Sequence, residues 1–130
     1  MAIIETKRIR NVALLGHGGS GKTSLAEAML YITGATDRIG KVADGNTVSD
    51  FDPEETKRGF SLSTSILNMT WKDSKINLLD TPGYLDFVGE VAQALRVADS
   101  AIILVDGKAG IEVGTEMAWG YADALDLPRA

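Results

Sequence analysis

The sequence contains no cysteine. That excludes disulfides and any thiolate metal site, and it fits a reducing compartment. Long apolar runs are also missing. Nothing approaches the ~18 consecutive apolar residues of a membrane helix. The start, Met1-Ala2-Ile3-Ile4-Glu5-Thr6-Lys7-Arg8-Ile9-Arg10, lacks the apolar core of a signal peptide. A cytoplasmic protein with no membrane partner is therefore expected. There is no excess of positive charge, since the formal net charge is −5. That balance argues against a broad nucleic-acid footprint. Only Lys7, Arg8 and Arg10 cluster, and they read as a solvated basic start. No repeat, low-complexity tract or interdomain linker interrupts the chain. Its 130 residues suit one domain, large enough to bury a core without staples.

What is present alternates between short apolar runs and helical periods. Val12-Ala13-Leu14-Leu15 is a continuous apolar run, the pattern of a strand buried on both faces. It leads directly into glycines. Leu25, Ala28, Met29 and Ile32 then recur at helical spacing, and Gly34 stops that helix. Residues 35–60 hold no sustained period and are rich in Asp, Gly, Thr and Glu. A long, largely irregular and mobile segment is expected there. Leu62 to Trp71 reads as extended, with Leu67, Met69 and Trp71 on one face. A turn at Lys72-Asp73-Ser74 and a strand over Ile76-Asn77-Leu78-Leu79 complete an antiparallel hairpin. Val88, Val91, Ala92 and Leu95 mark a helix, and Ala101 to Val105 another buried strand. Val113, Met117, Tyr121 and Ala124 mark a last helix, ending near Pro128. This order predicts an α/β domain with right-handed crossovers, apart from the one hairpin.

Residues 16–23, Gly-His-Gly-Gly-Ser-Gly-Lys-Thr, match G-x-x-x-x-G-K-[ST] at every defined position, between a strand and a helix. Phosphate oxygens need many donors at short range, and backbone N–H groups supply them only if the chain wraps closely. Gly18, Gly19 and Gly21 leave room for that wrap, with His17 and Ser20 donating from the backbone. His17 is the only histidine and reads as a loop residue rather than a catalyst or metal ligand. The helix beginning near Lys22, with Ser24 in its first turn, adds free N–H groups and its positive dipole end. Lys22 supplies a cation for β- and γ-phosphates, and Thr23 a hydroxyl for Mg2+.

Asp80-Thr81-Pro82-Gly83 ends the second hairpin strand. An acidic residue there is where such a loop protein holds magnesium. Pro82 sets a sharp turn, and Gly83 can bring its N–H to a γ-phosphate without a side chain in the way. Lys57-Arg58-Gly59-Phe60-Ser61 closes the irregular segment, and Ser61 offers a second hydroxyl to the metal. In that arrangement the loop is ordered only while the γ-phosphate is present.

Together these pieces resemble the G domain of translational GTPases, specifically the elongation factor G family. Beyond the loop, the resemblance is carried by Asp44-Gly45-Asn46-Thr47-Val48-Ser49-Asp50, Lys57-Arg58-Gly59, Trp71-Lys72-Asp73 and Ile76 through Gly83. It also runs through Asp86-Phe87-Val88-Gly89-Glu90-Val91, Leu95-Arg96-Val97-Ala98-Asp99 and Asp106 through Glu112. It implies a P-loop fold with a mixed, mostly parallel sheet, one antiparallel edge strand and flanking helices. It also implies GTP or GDP with Mg2+ as cofactors, and a ribosome partner reached through regions outside this chain. Residues 35–61 correspond to switch I and residues 80 to about 90 to switch II. The implied metal ligands are Thr23, Ser61 and Asp80. The implied catalytic residues are Lys22, Gly83 and Tyr84. Nucleotide contacts are expected from residues 17–24 and from Asp80, Thr81, Pro82, Gly83 and Tyr84.

The departures from the family are specific. Its usual loop is Ala-His-Ile-Asp-Ala-Gly-Lys-Thr, whereas Gly18, Gly19 and Ser20 stand here in place of Ile, Asp and Ala. Ser61 stands where threonine is usual and keeps the hydroxyl. Tyr84 stands where the family has a water-positioning histidine. A phenol remains neutral at pH 7 and can both donate and accept. These changes resemble an elongation factor G-like branch with slow intrinsic hydrolysis. The family's Asn-Lys-x-Asp and Ser-Ala base-reading motifs do not occur, so residues 1–130 are expected to be a single partial G domain. The strand at 101–105 is then expected to expose an edge and favour self-association. Two alternatives stay open: a phosphate-binding fragment without measurable hydrolysis, and an ATP-using P-loop protein of another family.

Overall fold

The apolar run at residues 12–15 lies at the centre of a four-stranded sheet. The computed structural model describes residues 4–130; Met1, Ala2 and Ile3 of the N-terminal reading lie outside them. Strand β1 (Ile9–Gly16) runs parallel to both its neighbours, β3 (Ser74–Asp80) and β4 (Ser100–Leu104). Strand β2 (Ser65–Trp71) pairs antiparallel with β3, giving the order β2-β3-β1-β4. The mixed, mostly parallel sheet with one antiparallel edge strand is thus present. The register pairs Leu14 with Asp80 and Gly16 with Leu104. Parallel strands that end together bring their following loops together, and that end of the sheet carries the site.

Helices cover both faces. On one, α1 (Lys22–Ile32) packs Ala26 and Leu30 against Leu14, Leu67, Met69 and Leu78. On the other, α3 (Val88–Val97) and α4 (Val113–Ala124) pack Ala94, Leu95, Ala118 and Ala122 against Ala13, Leu15, Leu79 and Ala101. Leu14 and its neighbours Ala13 and Leu15 thus feed opposite cores, which is why the run is apolar without alternation. Trp71, expected on one face of β2 with Leu67 and Met69, is 48% exposed whereas those two are buried. It sits at the hairpin end, where Lys72 and Asp73 alone make the turn and Ser74 already belongs to β3.

Residues 35–60 are less irregular than their composition suggests. A single 3-10 turn forms at Val42–Asp44, and a short helix, α2 (Pro53–Arg58), follows. Asp52 caps α2 by accepting from the Glu54 N–H at 2.8 Å, Pro53 opens it, and Gly59 closes it with φ 69°. Six residues hold too little apolar surface to show a period, but the cap residues are legible. Buried carboxylates bind the segment to the body. Glu27 accepts from Gly40 N–H (2.8 Å) and Val48 N–H (2.5 Å), and Glu55 accepts from Leu62 N–H (2.8 Å) and Ser63 N–H (3.1 Å).

The edge of β4 is not bare either. The chain turns after α4, buries Leu127 and lays residues 128–130 along β4. Ala101 N–H donates to Pro128 at 2.9 Å, Ile103 N–H to Ala130 at 2.8 Å, and Ala130 N–H back to Ala101 at 3.1 Å. The expected unpaired edge is corrected to one occupied along much of its length by the chain itself.

Leu14 is fully buried at the sheet centre. Leu14→Ala is expected to cost about 2–5 kcal/mol of stability, read from urea unfolding, because the packed helices cannot collapse into the space left.

Candidate functional site

Strand β1 ends at Gly16, a loop follows, and α1 opens at Lys22. Gly21 supplies the N-cap of α1 at φ 96°, a left-handed conformation that L side chains disfavour. The Lys22 ammonium folds back over the loop, donating to the carbonyls of Gly16 (3.1 Å) and His17 (2.8 Å). Burial lowers its pKa, and the nearby Asp80 charge opposes that shift. Gly83 packs directly on Lys22 and Gly18: a Cβ there would collide with the ammonium and lie 2.7 Å from the Gly18 nitrogen.

Beside the lysine, oxygen donors converge from three segments. Thr23 Oγ1 donates to Asp80 Oδ2 at 2.8 Å, and Ser49 Oγ donates to the same oxygen at 2.6 Å. Ser61 Oγ donates to Asp50 Oδ1 at 2.6 Å and lies 3.5 Å from the Thr23 hydroxyl. Burial raises the pKa of Asp80, opposed by the two hydroxyl hydrogen bonds. Burial likewise raises that of Asp50, with Ser61 opposing and Glu55 and Glu27 adding to the rise. The second Asp80 oxygen, Oδ1, is buried without a hydrogen-bond partner. Such an atom costs free energy unless something satisfies it. The hydroxyls of Thr23 and Ser61 and the carboxylate of Asp80 are hard oxygen ligands, the set magnesium takes when phosphates complete its shell. These residues fit that ion. Among the described residues no group of three or more His, Cys, Asp or Glu could hold a metal unaided.

Of the expected site residues, Gly18, Gly19, Gly21, Lys22, Thr23, Ser24, Ser61, Thr81, Gly83 and Tyr84 line one cavity of about 210 Å³. His17, Ser20, Asp80 and Pro82 do not line it. His17 turns its ring to the start of α4, where Nδ1 accepts from the Gly114 N–H at 3.2 Å and Nε2 lies 3.6 Å from Glu112. Ser20 Oγ is buried and unpartnered, Asp80 stands behind Thr23, and Pro82 is fully buried. Thr81 Oγ1 donates to the Leu14 carbonyl at 2.6 Å, so its hydroxyl holds the turn rather than a ligand. Sequence reasoning missed Ser49, Asp50 and Phe60 as site residues; Asp50 and Phe60 line the same cavity. All three lie in the aperiodic segment, where only the tertiary fold reveals a buried carboxylate.

Known proteins resemble the chain along nearly its whole length. The profile of the elongation factor Tu GTP-binding domain matches residues 7–130. Ribosome-releasing factor 2, mitochondrial, of Anopheles gambiae is 48% identical over 126 residues, covering 97% of this chain and 17% of that protein. Elongation factor G 2 of Streptomyces coelicolor is 44% identical, covering 93% of this chain and 18% of that protein. A crystal structure from Thermus thermophilus superposes with a TM-score of 0.91 at 48% identity, covering 94% of this chain and 18% of that one. The chain thus spans less than a fifth of the length of these relatives.

The raised pKa of Asp80 makes stability depend on pH. A carboxyl whose folded pKa is raised binds its proton more readily in the folded state. Stability therefore falls as pH rises from the ordinary carboxylate value through the raised one, and the loss persists above it. Asp80→Asn keeps an acceptor for Thr23 and Ser49 but removes the charge. Without ligand it is expected to melt above wild type at pH 8, with the gap narrowing at acid pH. With magnesium nucleotide the order should invert, because ligand at 100-fold its Kd adds ~2.7 kcal/mol only where the site is intact. Thermal melts with and without magnesium nucleotide at both pH values check this.

Proposed function

The chain belongs to the elongation factor Tu GTP-binding domain family, and from that premise we propose that it binds GTP or GDP with magnesium. In our reading it performs this as the nucleotide-hydrolysing part of a ribosome-associated, elongation factor G-like protein. The observation that carries the reading is the convergence of Thr23, Ser61 and Asp80 beside the Lys22 loop, with one buried Asp80 oxygen unsatisfied. The ribosome enters through the name of a relative, ribosome-releasing factor 2. No helix among the described residues is long and apolar enough to cross a membrane. The cytoplasmic placement expected from the sequence stands beside the mitochondrial name of that relative. Both compartments contain ribosomes, and the proposal holds in either.

In this reading the backbone of residues 17–21 and the first turn of α1, including Ser24, hold the phosphates. Lys22 leaves its two carbonyl partners to meet the β- and γ-phosphates. Magnesium, when bound, neutralises charge on those phosphates, held by Thr23, Ser61 and Asp80. The segments 35–61 and 80–90 act as switches. Ser61 reaches the site from the first, and Gly83 faces Lys22 from the second. Tyr84 orients the attacking water, since phosphoryl transfer relies on positioning and electrostatics rather than covalent chemistry. Self-association remains part of the proposal only for the stretch of β4 edge that residues 128–130 leave unpaired.

In the full-length context, titration with GTP and with ATP, each with magnesium, tests the nucleotide; GTP is expected to bind at least about tenfold tighter, a difference of ~1.4 kcal/mol. Equal affinities would move the chain to an ATP-using reading. Tyr84→Phe keeps the ring and removes the hydroxyl. In the full-length context it is expected to slow single-turnover GTP hydrolysis about tenfold, while Tyr84→His changes the rate in the other direction. Unchanged rates in both variants would remove Tyr84 from the mechanism.

A further inference from the structure

Thr23 donates to Asp80 Oδ2 and, in the proposed function, also offers its oxygen to magnesium. Ser49 donates to the same carboxylate oxygen at 2.6 Å and has no place among the metal ligands. It is fully buried, and its other end is fixed as well, because Ser65 Oγ donates to its carbonyl at 2.7 Å. Rotation about the last bond of an aspartate side chain is soft and roughly two-fold. Two donors on Oδ2 remove that freedom, and Oδ1 is left as the buried oxygen without a partner.

The hydrogen bonds around Ser49 also divide the first switch segment. Residues 40–49 are tied to three elements of the body. Gly40 and Val48 donate to Glu27 of α1, the Ser49 hydroxyl to Asp80 of β3, and Ser65 of β2 to the Ser49 carbonyl. The stretch 51–61 is held differently. Among the described residues, its hydrogen bonds to the preceding chain go to Asp50, from Thr56 Oγ1 to the carbonyl (3.2 Å) and from Ser61 Oγ to the carboxylate (2.6 Å). The Ser61 hydroxyl adds the 3.5 Å contact with Thr23. Phe51, at the junction of the two parts, is exposed.

We propose that Ser49 is a positioning residue for Asp80: its hydroxyl sets the carboxylate so that Oδ1 is the oxygen left for the metal, and the same bond pins the first switch segment up to Asp50 to the sheet with or without a terminal phosphate. The proposal rests on the reading that the site holds magnesium nucleotide, and it restricts the switching stretch to residues 51–61. The bond joins two groups of the chain itself, so its formation needs no ligand. Helix α2 and Ser61 move about the junction at Phe51, while residues 40–49 stay docked. The Asp80 carboxylate then has one orientation in both the GDP and the GTP forms.

Magnesium dependence and amide exchange in the full-length protein test this. Ser49→Ala removes the donor and is expected to raise about tenfold the magnesium concentration that half-slows GDP dissociation, the size of a hydrogen bond to a charged group. At saturating magnesium its dissociation rate should return to the wild-type value. Ser49→Thr keeps the hydroxyl and should restore the midpoint; an equal shift in both variants would assign the effect to packing and count against the hydroxyl. A merely structural role would lower the melting temperature of Ser49→Ala and leave the magnesium midpoint where it is, and that result overturns the proposal. With GDP bound, amide exchange in wild type should be slow over residues 45–50 and fast over residues 52–60. Equal exchange in the two stretches would overturn the pin, and that comparison needs no variant to fold. If the wild-type protein binds neither guanine nucleotide, or releases GDP independently of magnesium, the proposed function fails. Exchange over residues 45–50 without ligand then decides Ser49 separately. Faster exchange in Ser49→Ala than in wild type supports the bond to Asp80, and unchanged exchange overturns it.

Discussion

Asp80 ends β3 with none of its surface exposed, and a carboxylate in that position costs free energy unless partners satisfy it. One of its oxygens has two, the hydroxyls of Thr23 and Ser49. Thr23 comes from the first turn of α1, and Ser49 from the segment that follows that helix. The remaining oxygen has none. A single buried group thus ties sheet, helix and loop together while leaving one oxygen without a partner. The parallel register makes this possible, because it places the end of β3 beside the loop that follows β1.

The same device recurs around the site. Glu27 accepts the Gly40 and Val48 N–H groups, Glu55 accepts those of Leu62 and Ser63, and Asp50 takes the Ser61 hydroxyl. These acids lie close enough that Glu55 and Glu27 help to raise the Asp50 pKa, and Asp50 that of Asp80. Hydrogen bonds hold the segment in place, while the accumulated negative charge disfavours that same docked state. Among basic groups, Lys22 alone relieves Asp80. A loop held by such opposed terms is poised to respond to charge arriving in the cavity. Under the proposed function, that is a physical basis for switching.

Much of this is legible in the sequence. The run at residues 12–15, the period through Leu25 and Ile32, and the hairpin across Lys72-Asp73 each follow one local rule, and each element forms. The glycine loop is legible because its conformational demands are strict. Asp80 is legible because the turn residues after it end the strand abruptly. Helix α2 is not, since six residues carry no period, although its cap residues stand in plain view. Asp50 and Ser49 are invisible, because burial in an aperiodic segment is a tertiary property. The covered edge of β4 escapes the sequence for a related reason: residues 128–130 have no strand pattern, and they pair only because Leu127 is buried and turns the chain back.

The departures from the family look different once placed in space. In the sequence, a glycine at 18 and a tyrosine at 84 are separate substitutions. In the structure the tyrosine ring fills the volume the missing side chain vacates. Phe60 is a third participant, its ring centroid 4.5 Å from that of the tyrosine. A branched side chain at 18 and a ring of this size at 84 cannot share that space unless the ring rotates away or the loop or the turn moves. Moving either would displace Gly83 from Lys22, where a single methyl already has no room. The loop glycine is therefore explained by the aromatic residue facing it rather than by the phosphate alone.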